Sequence, residues 1–167
     1  MARARHYWLV KSEPAKYSID DLAAEAGRRA CWDGVRNYQA RNFMRDGMRL
    51  GDQVLFYHSA VQPPGVAGCA RVVREAYPDP TQFDPASPAY DPRSRPEDPR
   101  WLMVDLELTC RFDRLIPLAE LRATPGLEEM LLLRRGQRLS VMPVTPAQWR
   151  IILGLARPAP GSTLPPV

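Results

Sequence analysis

The run Leu102-Met103-Val104-Asp105-Leu106-Glu107-Leu108-Thr109-Cys110-Arg111 constrains the fold most. Leu102, Val104, Leu106, Leu108 and Cys110 alternate with Met103, Asp105, Glu107, Thr109 and Arg111. A period of two places each set on its own face of a strand. A strand apolar on one face and largely polar on the other fits an antiparallel sheet; parallel sheets are covered on both faces and read as continuous apolar runs. Val66 to Tyr77 predicts a second long strand, in which Gly68 marks a bulge or a close backbone approach. Shorter strands are expected over His6–Val10, Gln53–Ser59 and Arg138–Met142. Strands do not alternate regularly with long helices. The expected class is therefore α+β, with a barrel-like sheet and helices between and after the strands.

The helices announce themselves through their caps. Ser18 with Asp21 makes a capping box, Tyr17 and Leu22 form a hydrophobic staple, and Gly27 is the stop. Asn37 can cap a helix starting at Tyr38. Pro117 opens a helix through Leu121, and a further short helix is expected over Leu127–Leu133, closed by Gly136. Thr145 and Gln148 form a second capping box with Pro146 at the first helical position. Trp149, Ile152, Leu153 and Ala156 then fall on one face, so this last helix docks on the core. Pro78 to Pro99 shows no regular pattern; Phe83 and Tyr90 are its expected anchors, and a loop this long in a compact domain is usually functional or mobile.

A length of 167 residues fits one domain, expected over 1–157, followed by a Pro-rich tail at 158–167 expected to be disordered. Cys31, Cys69 and Cys110 form no CxxC and are odd in number, which points to free thiols in a reducing compartment. His6 and His58 are the only imidazoles, and no cysteine lies at metal-ligand spacing from them, so no metal is expected. No P-loop, GxGxxG or GxSxG motif is present, so no cofactor is expected either. No apolar run approaches the ~18 residues of a membrane span, and no secretory h-region is found. The expected location is cytoplasmic, with nucleoid association as a variant, and the expected state is a monomer without membrane contact. The net charge is +4, and the basic side is nearly all arginine, with Lys11 and Lys16 the only lysines. Arginine forks suit phosphates and base edges. A GC-rich genome would produce the same bias.

The stretch from Cys31 to Phe43, CWDGVRNYQARNF, carries the chemistry. It has too much hydrogen-bonding capacity for a core segment and too many aromatics for a plain loop. On a helix starting at Tyr38, one side gathers Tyr38, Arg41, Asn42 and Arg45, and the other Ala40, Phe43 and Met44. A planar ligand stacked on Trp32 would have its edges within reach of Asp33, Asn37 or Gln39, and Arg36, Arg41 and Arg45 would meet attached phosphates. The alternative is that Trp32 is a core tryptophan and the arginines are merely solvated. Lys11, Ser12 and Glu13 end the first strand, and His58 and Ser59 end a later one, where a ligand would meet the sheet. Lys11 and Glu13 share a strand face at i and i+2, as a catalytic lysine–carboxylate pair or as a salt bridge.

Several of these stretches together resemble the EVE domain family: Tyr7-Trp8-Leu9-Val10-Lys11-Ser12-Glu13-Pro14, the Cys31–Phe43 stretch, Phe56-Tyr57-His58-Ser59, Gly65-Val66-Ala67-Gly68, Ala76-Tyr77-Pro78-Asp79, Tyr90-Asp91-Pro92 and Arg138-Leu139-Ser140-Val141. The resemblance spans roughly residues 6 to 156. It implies a PUA-like pseudobarrel of mainly antiparallel strands with peripheral helices, the superfamily that also holds YTH and ASCH domains. It implies a non-enzymatic module that reads a modified nucleobase flipped into an aromatic and polar pocket. The partner expected is nucleic acid carrying that base: DNA ahead of RNA, with a modified cytosine such as 5-hydroxymethylcytosine as the leading ligand. Lys11, Ser12, Glu13, Trp32, Asp33, Asn37, Tyr57, His58 and Ser59 would line the pocket, with Trp32 as the cage aromatic. Arg36, Arg41, Asn42, Arg45 and Arg138 would hold the backbone. No catalytic residue is expected on this reading. The alternative function is a small amidohydrolase acting on modified nucleobases or nucleosides through Lys11 and Glu13, as in some ASCH-type relatives.

Overall fold

The computed structural model describes residues 3–167. Six strands form one sheet in the order β2-β5-β4-β3-β1-β6. They are β1 (Tyr7–Ser12), β2 (Arg29–Cys31), β3 (Gln53–His58), β4 (Gly65–Pro78), β5 (Leu102–Pro117) and β6 (Val141–Val144). Every neighbouring pair is antiparallel except β1 with β3, whose register runs from Tyr7↔Gln53 to Ser12↔His58. The class is α+β, as the period-two strand requires. On β5, Val104, Leu106, Leu108, Cys110 and Phe112 are buried while Asp105, Glu107, Thr109 and Arg111 are only partly so.

Gly68 is needed where β4 crosses the core. A Cβ there would collide with the Cys110 carbonyl oxygen and the Ile19 side chain, and the β3–β4 and β4–β5 registers both shift beside it. Such irregularities bend a strand and increase its twist. The terminal strands of the sheet are short, and β6 contains Pro143. Short edges and an edge proline both discourage pairing with another chain.

The helices are α1 (Ile19–Ala24), α2 (Tyr38–Asn42), α3 (Leu118–Ala123) and α4 (Pro146–Leu155). The three side-chain caps form as their residues predict: Ser18 with Asp21, Asn37 with the Ala40 amide, and Thr145 with Gln148. α2 runs directly into a π-helical turn over Phe43–Gly47, closed by the Met48 amide on the Phe43 carbonyl at 2.9 Å. Its Ala40 and Met44 face the core. In α4 Trp149 is fully buried and stacks on Tyr7 with ring centroids 4.9 Å apart.

Three expectations are corrected. Leu127–Leu133 is not an α-helix but a chain of three-residue turns with a 3₁₀ segment at Leu131–Leu133. Leu127, Met130 and Leu132 are the residues it buries, and a spacing of three or less suits turns rather than a 3.6-residue repeat. The last strand begins at Val141, because the Gln137 side chain accepts from the Leu139 amide and holds the preceding residues in a turn. The tail beyond Arg157 lies against the domain. Pro158 bridges to Phe112, the Ala159 amide donates to the Arg111 carbonyl at 2.8 Å, and Trp149 Nε1 donates to the Pro166 carbonyl at 3.3 Å. β2 pairs with β5 only at Asp105–Glu107, so the tail satisfies backbone groups further along that same strand.

The Pro78–Pro99 loop is held by polar groups, not by Phe83 and Tyr90; Tyr90 is largely exposed. Gln82 is fully buried. Its amide donates to the Asp79 and Trp101 carbonyls, and its oxygen accepts from Ser94 and the Trp101 amide. Trp101 Nε1 donates to Asp91 at 2.8 Å.

Candidate functional site

A cavity of about 890 Å³ opens where the end of β1, the whole of β2 and the loop after β2 come together with Ser140. β2 is the outer strand at one end of the sheet, and Ser140 immediately precedes the outer strand at the other. Residues from both ends facing one cavity mean that the sheet curls round and leaves its gap here. The volume lies within the ~300–1,000 Å³ typical of small-molecule sites.

Of the nine residues expected in the pocket, Lys11, Ser12, Glu13, Trp32, Asp33 and Asn37 line this cavity. Trp32 is both a core and a cavity residue. It is 8% exposed and packs edge-on against Phe56 at 5.4 Å and Tyr17 at 6.2 Å between centroids. Its amide donates to the Val104 carbonyl at 2.7 Å, which prolongs the β2–β5 ladder and fixes where the indole sits.

Lys11 lies half-buried, with Nζ 6.0 Å from the centre of the Tyr57 ring, and burial lowers its pKa. Glu13 does not pair with it. β1 ends at Ser12, and the Glu13 carboxylate instead meets Lys16 at 2.8 Å. The lysine–carboxylate pair that an amidohydrolase reading needs is therefore not assembled. The Ser12 hydroxyl donates to the Tyr17 carbonyl. Asn37 spends its side-chain oxygen on the Ala40 amide, so its NH₂ group is what it can offer a ligand. Asp33 sits at the rim, and surrounding protein and the Asp79 charge raise its pKa. The cavity thus presents a carboxylate acceptor, an ammonium donor and an amide donor beside an indole.

Tyr57, His58 and Ser59 are not among the lining residues. They support it from behind. Tyr57 is buried beneath Lys11. His58 Nε2 accepts from the Ile19 amide at 3.1 Å, and burial lowers its pKa, which favours the neutral, accepting ring. The Ser59 amide donates to the Ser12 carbonyl at 2.9 Å. β3 is an inner strand, and Ile19 at the start of α1 meets its last residue, His58.

The expected backbone arginines divide. Arg36 lines the cavity, but its guanidinium donates to the Ala89 and Val35 carbonyls, to Asp79 and to Thr81. Arg41 bonds to the Asn42 side chain and the Arg100 carbonyl and lies 4.8 Å from the Tyr38 ring centre. Arg45 pairs with Asp46. Arg138 is exposed two residues before the cavity-lining Ser140.

Asp79 stands outside the expected site residues. It accepts from the Gly34 amide at 2.8 Å, from Arg36 at 3.0 Å and from the Thr81 amide and hydroxyl, and so ties the cavity wall to the long loop. Burial opposes its charge, yet these bonds hold its pKa below the ordinary 3.8. The signal was present: Asp79-Pro80 is a cap followed by proline at the first helical position. Ser140 and Tyr17 also line the cavity, with no local pattern to mark them.

A model of the EVE domain matches residues 6–155. Thymocyte nuclear protein 1 of Mus musculus is 48% identical over 171 residues, which cover 93% of this chain and 75% of the mouse protein. A hypothetical protein from Leishmania major has the same fold, with a TM-score of 0.86 and 49% identity over 91% of this chain and 94% of that one. Human THYN1 protein, crystallised in complex with 5-methylcytosine containing DNA, superposes with a TM-score of 0.84 and 47% identity over 90% of this chain and 96% of that one.

Proposed function

The chain belongs to the EVE domain family, and on that premise we propose that it is a DNA-binding module that takes a modified cytosine, flipped out of its strand, into the cavity beside Trp32. The observation that carries this reading is that Asp33, Lys11 and Asn37 line one cavity together with Trp32. The Watson–Crick edge of cytosine offers an amino donor at N4, then acceptors at N3 and O2. A carboxylate is the natural acceptor for N4–H₂. Lys11 and the Asn37 NH₂ supply donors for the two acceptors. Thymine or uracil would turn a carbonyl oxygen toward Asp33 and be repelled. The human relative's complex with 5-methylcytosine DNA supports the same class of ligand.

The energetics are compatible with a reader. Extruding a base costs a few kcal/mol. Stacking on an aromatic returns ~1–3 kcal/mol, and hydrogen bonds to charged groups add about 1.5–3 kcal/mol each. A methyl group buried against the indole would add about 0.8 kcal/mol. A hydroxymethyl group needs a polar partner as well, which the Ser12 oxygen can supply as an acceptor.

The test is binding of fluorescent oligonucleotides, DNA and RNA, carrying cytosine, 5-methylcytosine, 5-hydroxymethylcytosine or 6-methyladenine, to wild type and to Asp33→Asn. Selective binding of one modified cytosine by wild type, lost in Asp33→Asn, is the expected result. Equal binding of all oligonucleotides, unchanged in the variant, would remove the base-reading role. Preference for the RNA series would replace DNA as the partner.

A further inference from the structure

We propose that the phosphates flanking the bound base run over Arg134, Arg135 and Arg138, with Arg122 beside them, on the β6 side of the cavity. This rests on the base-reading function above and assigns the backbone to arginines other than Arg36, Arg41 and Arg45.

The charge is segregated in the chain. Residues 130–167 hold five arginines and no acidic residue, against a net charge of +4 for the whole protein. The remainder is slightly acidic. Arg134, Arg135 and Arg138 all lie in the exposed turn that leads into Ser140. Among the described residues none of these three meets a carboxylate, whereas Lys16, Arg29, Arg36 and Arg45 each have an acidic partner. A guanidinium already shared between a carboxylate and carbonyls must give those bonds up to hold a phosphate. An uncommitted one only sheds water and counterions.

The turn is also anchored to the cavity. The Lys11 amide donates to the Ser140 carbonyl at 2.9 Å, so the residue after Arg138-Leu139 is bonded to the strand end that carries the Lys11 donor. Arg122 donates to the Leu133 carbonyl at 2.9 Å, which fastens α3 to the base of the same turn. Its charge also acts on the Tyr57 phenol, whose ring lies under Lys11. Lys11, Arg122 and the 134–138 turn are therefore tied together beside the cavity. Phosphate contacts of this kind position a strand without reading its sequence.

The test compares wild type, the triple variant Arg134→Gln/Arg135→Gln/Arg138→Gln and Arg45→Gln. Each is titrated with 5-methylcytosine and unmodified DNA across a salt series. Each neutralised phosphate contributes about 0.7–0.9 to the slope of log K against log salt, so the triple variant should lose about 2–3 from that slope. It should weaken on both oligonucleotides alike and leave their affinity ratio unchanged, while Arg45→Gln keeps the wild-type slope. The substituted side chains are exposed and make no ion pair among the described residues, and matching circular dichroism and melting will confirm that the variant folds. An unchanged slope in the triple variant, or an equal loss in Arg45→Gln, overturns the proposal. No salt-dependent DNA binding by wild type overturns it together with the base-reading function. A wild-type affinity ratio near one, with the slope loss intact, removes base reading but leaves this face as the DNA contact.

Discussion

Asp79→Asn perturbs the site without touching the ligand. The carboxylate is fully buried and has Gly34, Arg36 and Thr81 as its donors. Asparagine keeps the shape but replaces one oxygen with NH₂. If the amide oxygen stays on the Thr81 side, NH₂ faces the Gly34 amide and Arg36, donor against donor; flipped, it faces the Thr81 donors. Breaking a buried pair costs about 3–5 kcal/mol. The Arg36 side chain is 22% exposed, so water can reach it, and the lower end of that range applies. The expected loss is therefore about 3 kcal/mol, or roughly 6–12 °C in Tm for a domain of this size.

The pH dependence carries a sign. A carboxyl whose folded pKa is below its ordinary 3.8 stabilises the fold above that value, and the contribution disappears as pH falls through the folded pKa. The gap between wild type and Asp79→Asn in urea denaturation should be full at pH 7 and shrink in acid, because protonated Asp79 resembles asparagine. Modified-base binding should weaken as well, since Gly34 and Arg36 lose their anchor. A gap under about 1 kcal/mol at pH 7 would contradict the assignment of a charged buried hub, as would a gap that stays constant into the acid range.

The remaining expectations concern single elements. Lys11→Met should stabilise the protein slightly at pH 7 while weakening ligand binding: burial lowers the lysine's folded pKa, so its charged form opposes folding until pH rises through that value. A lower urea midpoint in the variant would refute this. Trp32→Ala should abolish base selectivity and also cost about 3–5 kcal/mol of stability, whereas Trp32→Phe should keep most stability and reduce binding; equal losses in both would argue that the indole is structural alone. Gly68→Ala should cost at least ~1–3 kcal/mol, because the Cys110 carbonyl it meets is backbone and cannot swing away; a near-neutral melting temperature would count against the close approach. Removing residues 158–167 should lower Tm and speed hydrogen exchange at Arg111, whose amide donates to the Ser162 hydroxyl at 3.3 Å and would lose that partner; unchanged exchange would mean that the tail is not docked in solution.

What the amino-acid sequence determined alone is what depends on a few consecutive residues. The caps at Ser18, Asn37 and Thr145 form because each side chain meets an amide three residues on. The half-buried β5 follows from its alternation, and the family is carried by contiguous motifs such as the Cys31–Phe43 stretch. The tertiary structure alone decided which polar groups are free. The acidic partner of Arg36 is Asp79, distant in the chain, and that pairing turns an apparent phosphate ligand into a brace for the cavity wall. His58 looks like a site residue at a strand end until α1 supplies the Ile19 amide that occupies it. Ser140 reaches the cavity only because the sheet curls until residues from its two ends face each other. A side chain's type is local, but whether its charge and hydrogen bonds are already spent depends on which distant residues folding brings within about 3 Å.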